Sequence, residues 1–314
     1  MPPPEVGRAM WAKAGEAERS ARSAVLLSLL ASLLYGSQYV VIKTGLGFID
    51  PLLFGALTTA IGGLVALAYT RWKGLISWST FRHWEVWAAA ATTVAMIALQ
   101  YTGLTMTTAT AGGLIVGSNI IFVAPISALL FREALGWRRT LGVVLGLVGI
   151  FTLTTQWDLS TLGGGALIGD LMLLGASFAI AISYPLNRLA TRKMCFEEWV
   201  AGFHLLAPLP LLLLALADGE LGSAEQTSVL AVLFVGGLST AVPTMLWAKG
   251  LESLTFVTSA TILMSESVFA VVLGVLVLSE PLTPLIALGA VMVFAAIFLV
   301  SLSAKNVTEK YPVV

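Results

Sequence analysis

Residues 93–144 recur as residues 240–291 at a constant offset of 147, without gaps. Matched pairs include Thr93/Thr240, Gly103/Gly250, Thr108/Thr255, Ser118/Ser265, Phe122/Phe269 and Glu133/Glu280. Shared Leu and Ile are cheap in apolar helices, but shared Ser, Thr, Phe and Glu in one register are not. The chain therefore reads as two related sets of five apolar stretches. An odd number of crossings puts the second set into a bilayer upside down relative to the first. Inverted repeats of this kind are a common basis for transporters with a central site.

The solvent follows from composition. The 314 residues are 58% hydrophobic and 11% charged, with a mean hydropathy of +0.93. A soluble protein carries roughly 25% charged residues. The expected class is an all-α polytopic membrane protein with ten transmembrane helices, because the apolar stretches are long enough for helices rather than barrel strands. Their expected positions are 24–43, 52–70, 86–104, 110–131, 138–154, 168–188, 198–217, 228–248, 254–277 and 283–303. A net charge of zero gives no electrostatic case for nucleic acid. A lone cysteine, Cys195, rules out an intramolecular disulfide.

Lys and Arg favour the cytoplasmic side of short loops. With the N-terminus inside, every one of the 17 Lys and Arg except Lys43 falls on the inner side. Both termini are then cytoplasmic, in a cell membrane. The expected domains are a cytoplasmic segment 1–23, a first five-helix repeat 24–154, a linker 155–167, a second repeat 168–303 and a cytoplasmic tail 304–314. Residues 8–22 are expected as a short helix on the membrane surface and the tail as unstructured. The linker carries Gly163-Gly164-Gly165, without the spacing of a phosphate-binding loop.

Polar residues inside spans are the informative ones. Glu266 sits midway along the ninth, where a carboxylate is costly unless protonated, paired or facing water. That suits proton coupling or direct ligand contact; a protonated carboxyl bonded to a neighbouring helix is the structural alternative. Asn119 is its aligned partner in the other half. In the first span Tyr35, Gln38 and Tyr39 share a face at i, i+3 and i+4, read as cavity lining. Ser177, Tyr184, Asn187 and Arg188 repeat this in the sixth, interrupted by Pro185. Gln100, Tyr101 and Trp247 offer amide and aromatic surface to a small ligand, and Ser118 and Ser265 complete the candidate set. Trp72, Trp78, Trp84, Trp87, Trp137 and Trp199 are read as interfacial anchors. His204 is read as a helix–helix contact, with a proton relay as its alternative. Lys43 is expected to snorkel to headgroups or to attract an anion. Glu133 and Glu280 are expected to cap the helix that follows each, and Gly142-x-x-x-Gly146 to permit close helix approach.

An enzyme is not expected. The sequence contains no H-E-x-x-H, no Gly-x-Ser-x-Gly elbow and no paired intramembrane aspartates. Two histidines and one cysteine offer no metal site. No cofactor is implied.

The chain resembles the EamA type of the drug/metabolite transporter superfamily over about 24–303. The resemblance rests on the doubled architecture, on the run from Leu34 to Lys43 (LYGSQYVVIK), on Glu133 and Glu280, and on Glu266-Ser267-Val268-Phe269-Ala270. That last stretch is similar to the family's Glu-Pro-Val-Phe-Ala, with Ser267 in place of proline; Tyr35 stands where the family has Trp. The resemblance implies a basket-like bundle, a cavity lined by spans 1, 3, 4, 6, 8 and 9, and alternating access. It also implies export of amino acids or similar metabolites, by a monomer or homodimer in the bilayer. Alternatives are an uncoupled facilitator, a flippase for lipid-linked substrates, and a membrane assembly partner without transport.

Overall fold

The computed structural model describes residues 4–75, 77–131, 136–158, 164–219, 221–251, 262–263 and 265–308. Among these residues the chain is helical, with one isolated bridge, Ile49 to Gly222. Five helices are long and apolar enough to cross a membrane, and shorter apolar helices accompany them. In chain order the helices are α1 (Pro4–Gly45), α2 (Pro51–Trp72), α3 (Trp84–Met106), α4 (Ala109–Gly117), α5 (Ile120–Phe131), α6 (Trp137–Thr155) and α7 (Gly165–Ala190). There follow α8 (Phe196–Leu206), α9 (Pro208–Asp218), α10 (Gln226–Phe234), α11 (Ala241–Leu251), α12 (Ser265–Leu278) and α13 (Pro284–Thr308).

Local chemistry sets the helix ends. Asp50 caps α2, its Oδ1 accepting the Leu53 N–H at 2.7 Å, with Pro51 opening the helix where no N–H is needed. Thr108 caps α4 through Ala111 N–H at 3.0 Å. Thr283 caps α13 through Ile286 N–H at 3.2 Å, while its own hydroxyl donates to Gln156 Oε1 at 2.7 Å. Gly219, at φ 82°, ends α9 in the left-handed region that glycine adopts freely.

Three local expectations change. Residues 8–22 are not a separate surface helix but continue directly into α1. The tail is helical as far as Thr308, with 309–314 outside the described residues. The fourth span breaks, and not at Pro125, which lies inside α5. It breaks at Ser118–Asn119, where the Asn119 amide donates back to Val116 O at 3.1 Å and Ser267 Oγ donates to Gly113 O at 2.9 Å. A span at 228–248 is likewise irregular, with a π turn at Val235–Thr240 between α10 and α11. Such breaks are tolerated at membrane depth where protein or a cavity surrounds them. The first part of the ninth span (254–261), the middle of the linker (159–163) and Glu133 lie outside the described residues.

The helix pairings come in counterparts. Helix α3 lies along α7, and α1 along α10–α11; α1 packs on α12, and α7 on α4 and α5; α6 pairs with α13, and α2 with α8 and α9. Gly146 faces Ile121 on α5 and Ala296 on α13, and Gly149 faces Met292 on α13, so these two glycines serve packing within the chain. Alternate connections meet at opposite ends. At one end, Lys43 reaches Thr107, Glu280 reaches Ala109, and Ser223 N–H donates to Phe48 O at 2.7 Å. At the other, Lys193 pairs with Glu85 at 2.5 Å and Thr80 bonds Glu198. A core of Tyr39, Ile42, Phe54, Leu104 and Leu114 fills the first end. A second, around Val86, Trp199, Val200 and Phe203, fills the other. Side chains such as Leu26, Leu129 and Leu276 point outward and exposed, as a lipid-facing surface requires.

Candidate functional site

Between these two cores lies a cavity of about 260 Å³. Tyr35, Gln38, Tyr39, Gln100, Tyr101, Asn119, Tyr184, Trp247 and Glu266 all line it. Each arrives by simple geometry: one face of α1, one face of α3, the break after α4, the last turns of α7, and facing turns of α11 and α12. Ser118 and Ser265 are not among the lining residues. Each hydroxyl turns back on its own backbone, Ser118 to Ile115 O and Ser265 to Ile262 O, both at 2.6 Å.

Glu266 is held rather than loose. The Tyr39 hydroxyl donates to its Oε1 at 2.9 Å. One turn earlier on α1, the Tyr35 hydroxyl lies 2.5 Å from Thr244 Oγ1. Thr244 donates to Thr240 O at 3.1 Å, so Tyr35 is the donor of the shorter bond. Two tyrosines on one face of α1 thus reach two different helices. Between them Gly36 lets α1 and α12 touch: a Cβ there would lie 2.6 Å from Phe269 Cβ and 2.7 Å from Glu266 O.

The cavity has a wall that sequence reading assigned elsewhere. Trp199 is not an interfacial anchor: it is 5% exposed and lines the cavity with Phe196, Phe203 and His204. Its ring lies 4.7 Å from that of Phe203 and 5.9 Å from that of Phe196. Phe196 in turn lies 5.9 Å from Trp247. Helix α8 therefore joins the lining, which the family resemblance restricted to spans 1, 3, 4, 6, 8 and 9. His204 Nδ1 donates to Val200 O at 2.9 Å, a bond within its own helix. Trp72, Trp78, Trp84, Trp87 and Trp137 are exposed.

Two charged residues take unexpected partners. Lys43 does not extend to solvent; its Nζ donates to Leu104 O at 2.7 Å and to Thr107 O at 2.5 Å. Glu280 does not cap α13, the helix that follows it. Its Oε1 accepts from Ala109 N–H at 2.6 Å and its Oε2 from Thr110 N–H at 2.8 Å, which caps α4. Outside the spans, Cys195 precedes α8. Burial pushes its thiol up, away from the thiolate that reactivity needs.

A model of the EamA-like transporter family matches the chain twice, over residues 22–155 and 167–302. An uncharacterized transporter of Archaeoglobus fulgidus is 29% identical over 281 residues, 87% of this chain and 84% of its own. The uncharacterized transporter YoaV of Bacillus subtilis is 27% identical over 281 residues, 88% of this chain and 96% of its own. A chloroplastic WAT1-related protein of Arabidopsis thaliana is 27% identical over 288 residues, 87% of this chain and 68% of its own. A crystal structure matches in fold with a TM-score of 0.65 at 20% identity, over 91% of this chain and 99% of its own. The family and the first two relatives are named as transporters rather than enzymes. With its doubled family match and apolar helices, this chain belongs to the EamA-like transporter family, as a multi-pass membrane transporter of small molecules.

Proposed function

We propose that the protein is a secondary transporter that exports small metabolites, amino acids foremost, across the cell membrane by alternating access. In this reading ten spans form two inverted repeats, 24–154 and 168–303, with both termini cytoplasmic. The paired helix contacts and the alternation of connections between two ends support it. The observation that carries the functional reading is the cavity itself, which Glu266, Tyr39 and uncharged polar side chains line together.

Size favours a metabolite. The volume of about 260 Å³ falls just below the roughly 300–1,000 Å³ of pockets for drug-sized ligands, which suits a small metabolite. One copy of the chain lines the cavity, so in this reading the monomer is the transport unit, whether or not copies pair. Nucleic acid has no part in this function. Tyr35, Gln38, Gln100, Tyr101, Asn119, Tyr184 and Trp247 contact the substrate in this reading. Glu266 carries the proton, with Tyr39 orienting it.

The test is efflux from proteoliposomes loaded with a mixed pool of amino acids, sugars and nucleosides, read by mass spectrometry against protein-free vesicles. Selective loss of amino acids, accelerated by an opposing proton gradient, is expected. The Glu266→Gln variant is expected to keep downhill flux and lose the acceleration. Wild-type flux that ignores the gradient marks an uncoupled facilitator. No flux from folded, inserted protein overturns the small-metabolite reading.

A further inference from the structure

The charge inventory of the cavity is one-sided. Among the described lining residues Glu266 is the one carboxylate, and none is Lys or Arg. The described cations lie elsewhere: Lys43 is engaged with α3 carbonyls and Lys193 with Glu85. His204 spends its Nδ1 on its own helix. A bound carboxylate or phosphate would meet like charge from Glu266, with only neutral donors to offset it. An ammonium meets its opposite charge.

The aromatic wall adds to the same preference. Phe196, Trp199, Phe203 and Trp247 pack edge-on or tilted against one another and line the cavity together. Aromatic faces attract cations, most of all where water is excluded. Asn187 Oδ1, also of the lining, is buried and accepts no hydrogen bond among the described residues. Trp199 Nε1 and Ser239 Oγ are buried in the same state. Buried polar atoms in native proteins are nearly always partnered, so these point to a polar ligand or ordered water.

We infer that the cavity selects organic amines: a protonated amino group held by Glu266, with an apolar or aromatic body against the α8–α11 wall. Anionic metabolites are excluded, and amino acids are recognised through the amino group, not the carboxylate. The inference rests on reading this cavity as the transport site.

Phenethylamine, phenylalanine and hydrocinnamate share one ring and carry a positive charge, both charges and a negative charge. Equilibrium binding of each is measured by calorimetry on the full chain in lipid nanodiscs. Phenethylamine is expected to bind at least about tenfold tighter than hydrocinnamate, with phenylalanine within about fivefold of phenethylamine. This ordering follows from pairing with one acid among described lining residues that include no Lys or Arg. Glu266→Gln is expected to abolish the preference, and Glu266→Asp to restore part of it. Equal binding of hydrocinnamate, binding of none of the three, or an undiminished preference in Glu266→Gln overturns the inference. The wild-type series stands even if the variants fail to fold. Amino-acid efflux from vesicles without amine preference in binding removes this inference and leaves the transport reading intact; absence of both removes both.

Discussion

Lys43 and Glu280 hold the two sides of a single turn. Lys43 reaches from α1 to the end of α3, to the carbonyls of Leu104 in its last turn and of Thr107 just after it. Glu280, from the connection between α12 and α13, takes the first two N–H groups of α4, at Ala109 and Thr110. A cation at a helix C-terminus and an anion at a helix N-terminus each oppose the local helix dipole. They also satisfy backbone groups that a helix end leaves open. The turn between α3 and α4 is thereby tied to one element from each half of the chain, at the end of the bundle away from Lys193 and Glu85.

The clamp should be measurable as stability. Lys43→Met leaves the α3 carbonyls without a cation, and Glu280→Ala leaves two α4 amides without an acceptor. Each is expected to cost roughly 1–3 kcal/mol, the range for charge-assisted hydrogen bonds in partly buried settings. The two residues share a turn, so the double variant should cost less than the two single losses combined. Unfolding of the purified protein, followed by helical circular dichroism in detergent against denaturant, checks this. Strict additivity would mean that the two ends of the turn respond independently.

Gly36 makes the contact that aligns Tyr39 with Glu266. A methyl group there has no room beside Phe269 and the Glu266 backbone. Gly36→Ala is therefore expected to destabilise by roughly 1–3 kcal/mol, as overpacking does, and to lower transport by separating α1 from α12. Gly136 is the control, since no described residue lies within 4 Å of its added Cβ. Gly136→Ala should leave both readouts near wild type. Equal tolerance at the two positions would remove the steric account.

The cavity face of α1 was legible because helical spacing alone groups Tyr35, Gln38 and Tyr39. Glu266 and Asn119 were legible because polar groups in apolar spans are rare and the repeat aligns them. The partners of Lys43 and Glu280 were not. They lie 61 and 171 residues away, and capping a distant helix leaves no local pattern in the residues that do it. Trp199 misled because an indole near a helix start looks the same in sequence whether it faces headgroups or a cavity. Ser118 and Ser265 misled for another reason. A repeat retains hydroxyls that satisfy backbone carbonyls as well as those that meet a ligand, and both of these bond the carbonyl three residues before.

Trp199 offers a way to separate wall from anchor. Trp199→Phe keeps an aromatic face and removes the indole N–H, which has no partner among the described residues. Fold stability is expected to stay within about 1 kcal/mol, since a buried donor is removed together with some packing. Substrate KM is expected to rise several-fold with little change in maximal flux. Trp78→Phe, at an exposed position, should leave the flux kinetics alone. A flux assay over a concentration series on both variants decides the matter: matching kinetics would return Trp199 to the role of anchor.

Asp50 carries a pH dependence whose sign can be worked out. It lies before α2, where burial pushes its carboxyl up, and the Leu53 N–H that it caps pulls only partly the other way. An acid whose pKa is higher folded than unfolded binds its proton more tightly in the folded state. Its contribution to stability therefore declines as pH rises from below its unfolded value through its folded value. Asp50→Asn keeps a side-chain oxygen for the cap and removes that titration. The variant should match or exceed wild type in stability at neutral pH, with its advantage shrinking in acid. Asp50→Ala loses the cap itself and should cost about 1 kcal/mol near neutrality. Denaturant midpoints for the three proteins between mildly acidic and neutral pH check both statements, and an Asn variant weaker than wild type at neutral pH would show that the charge at Asp50 is itself stabilising.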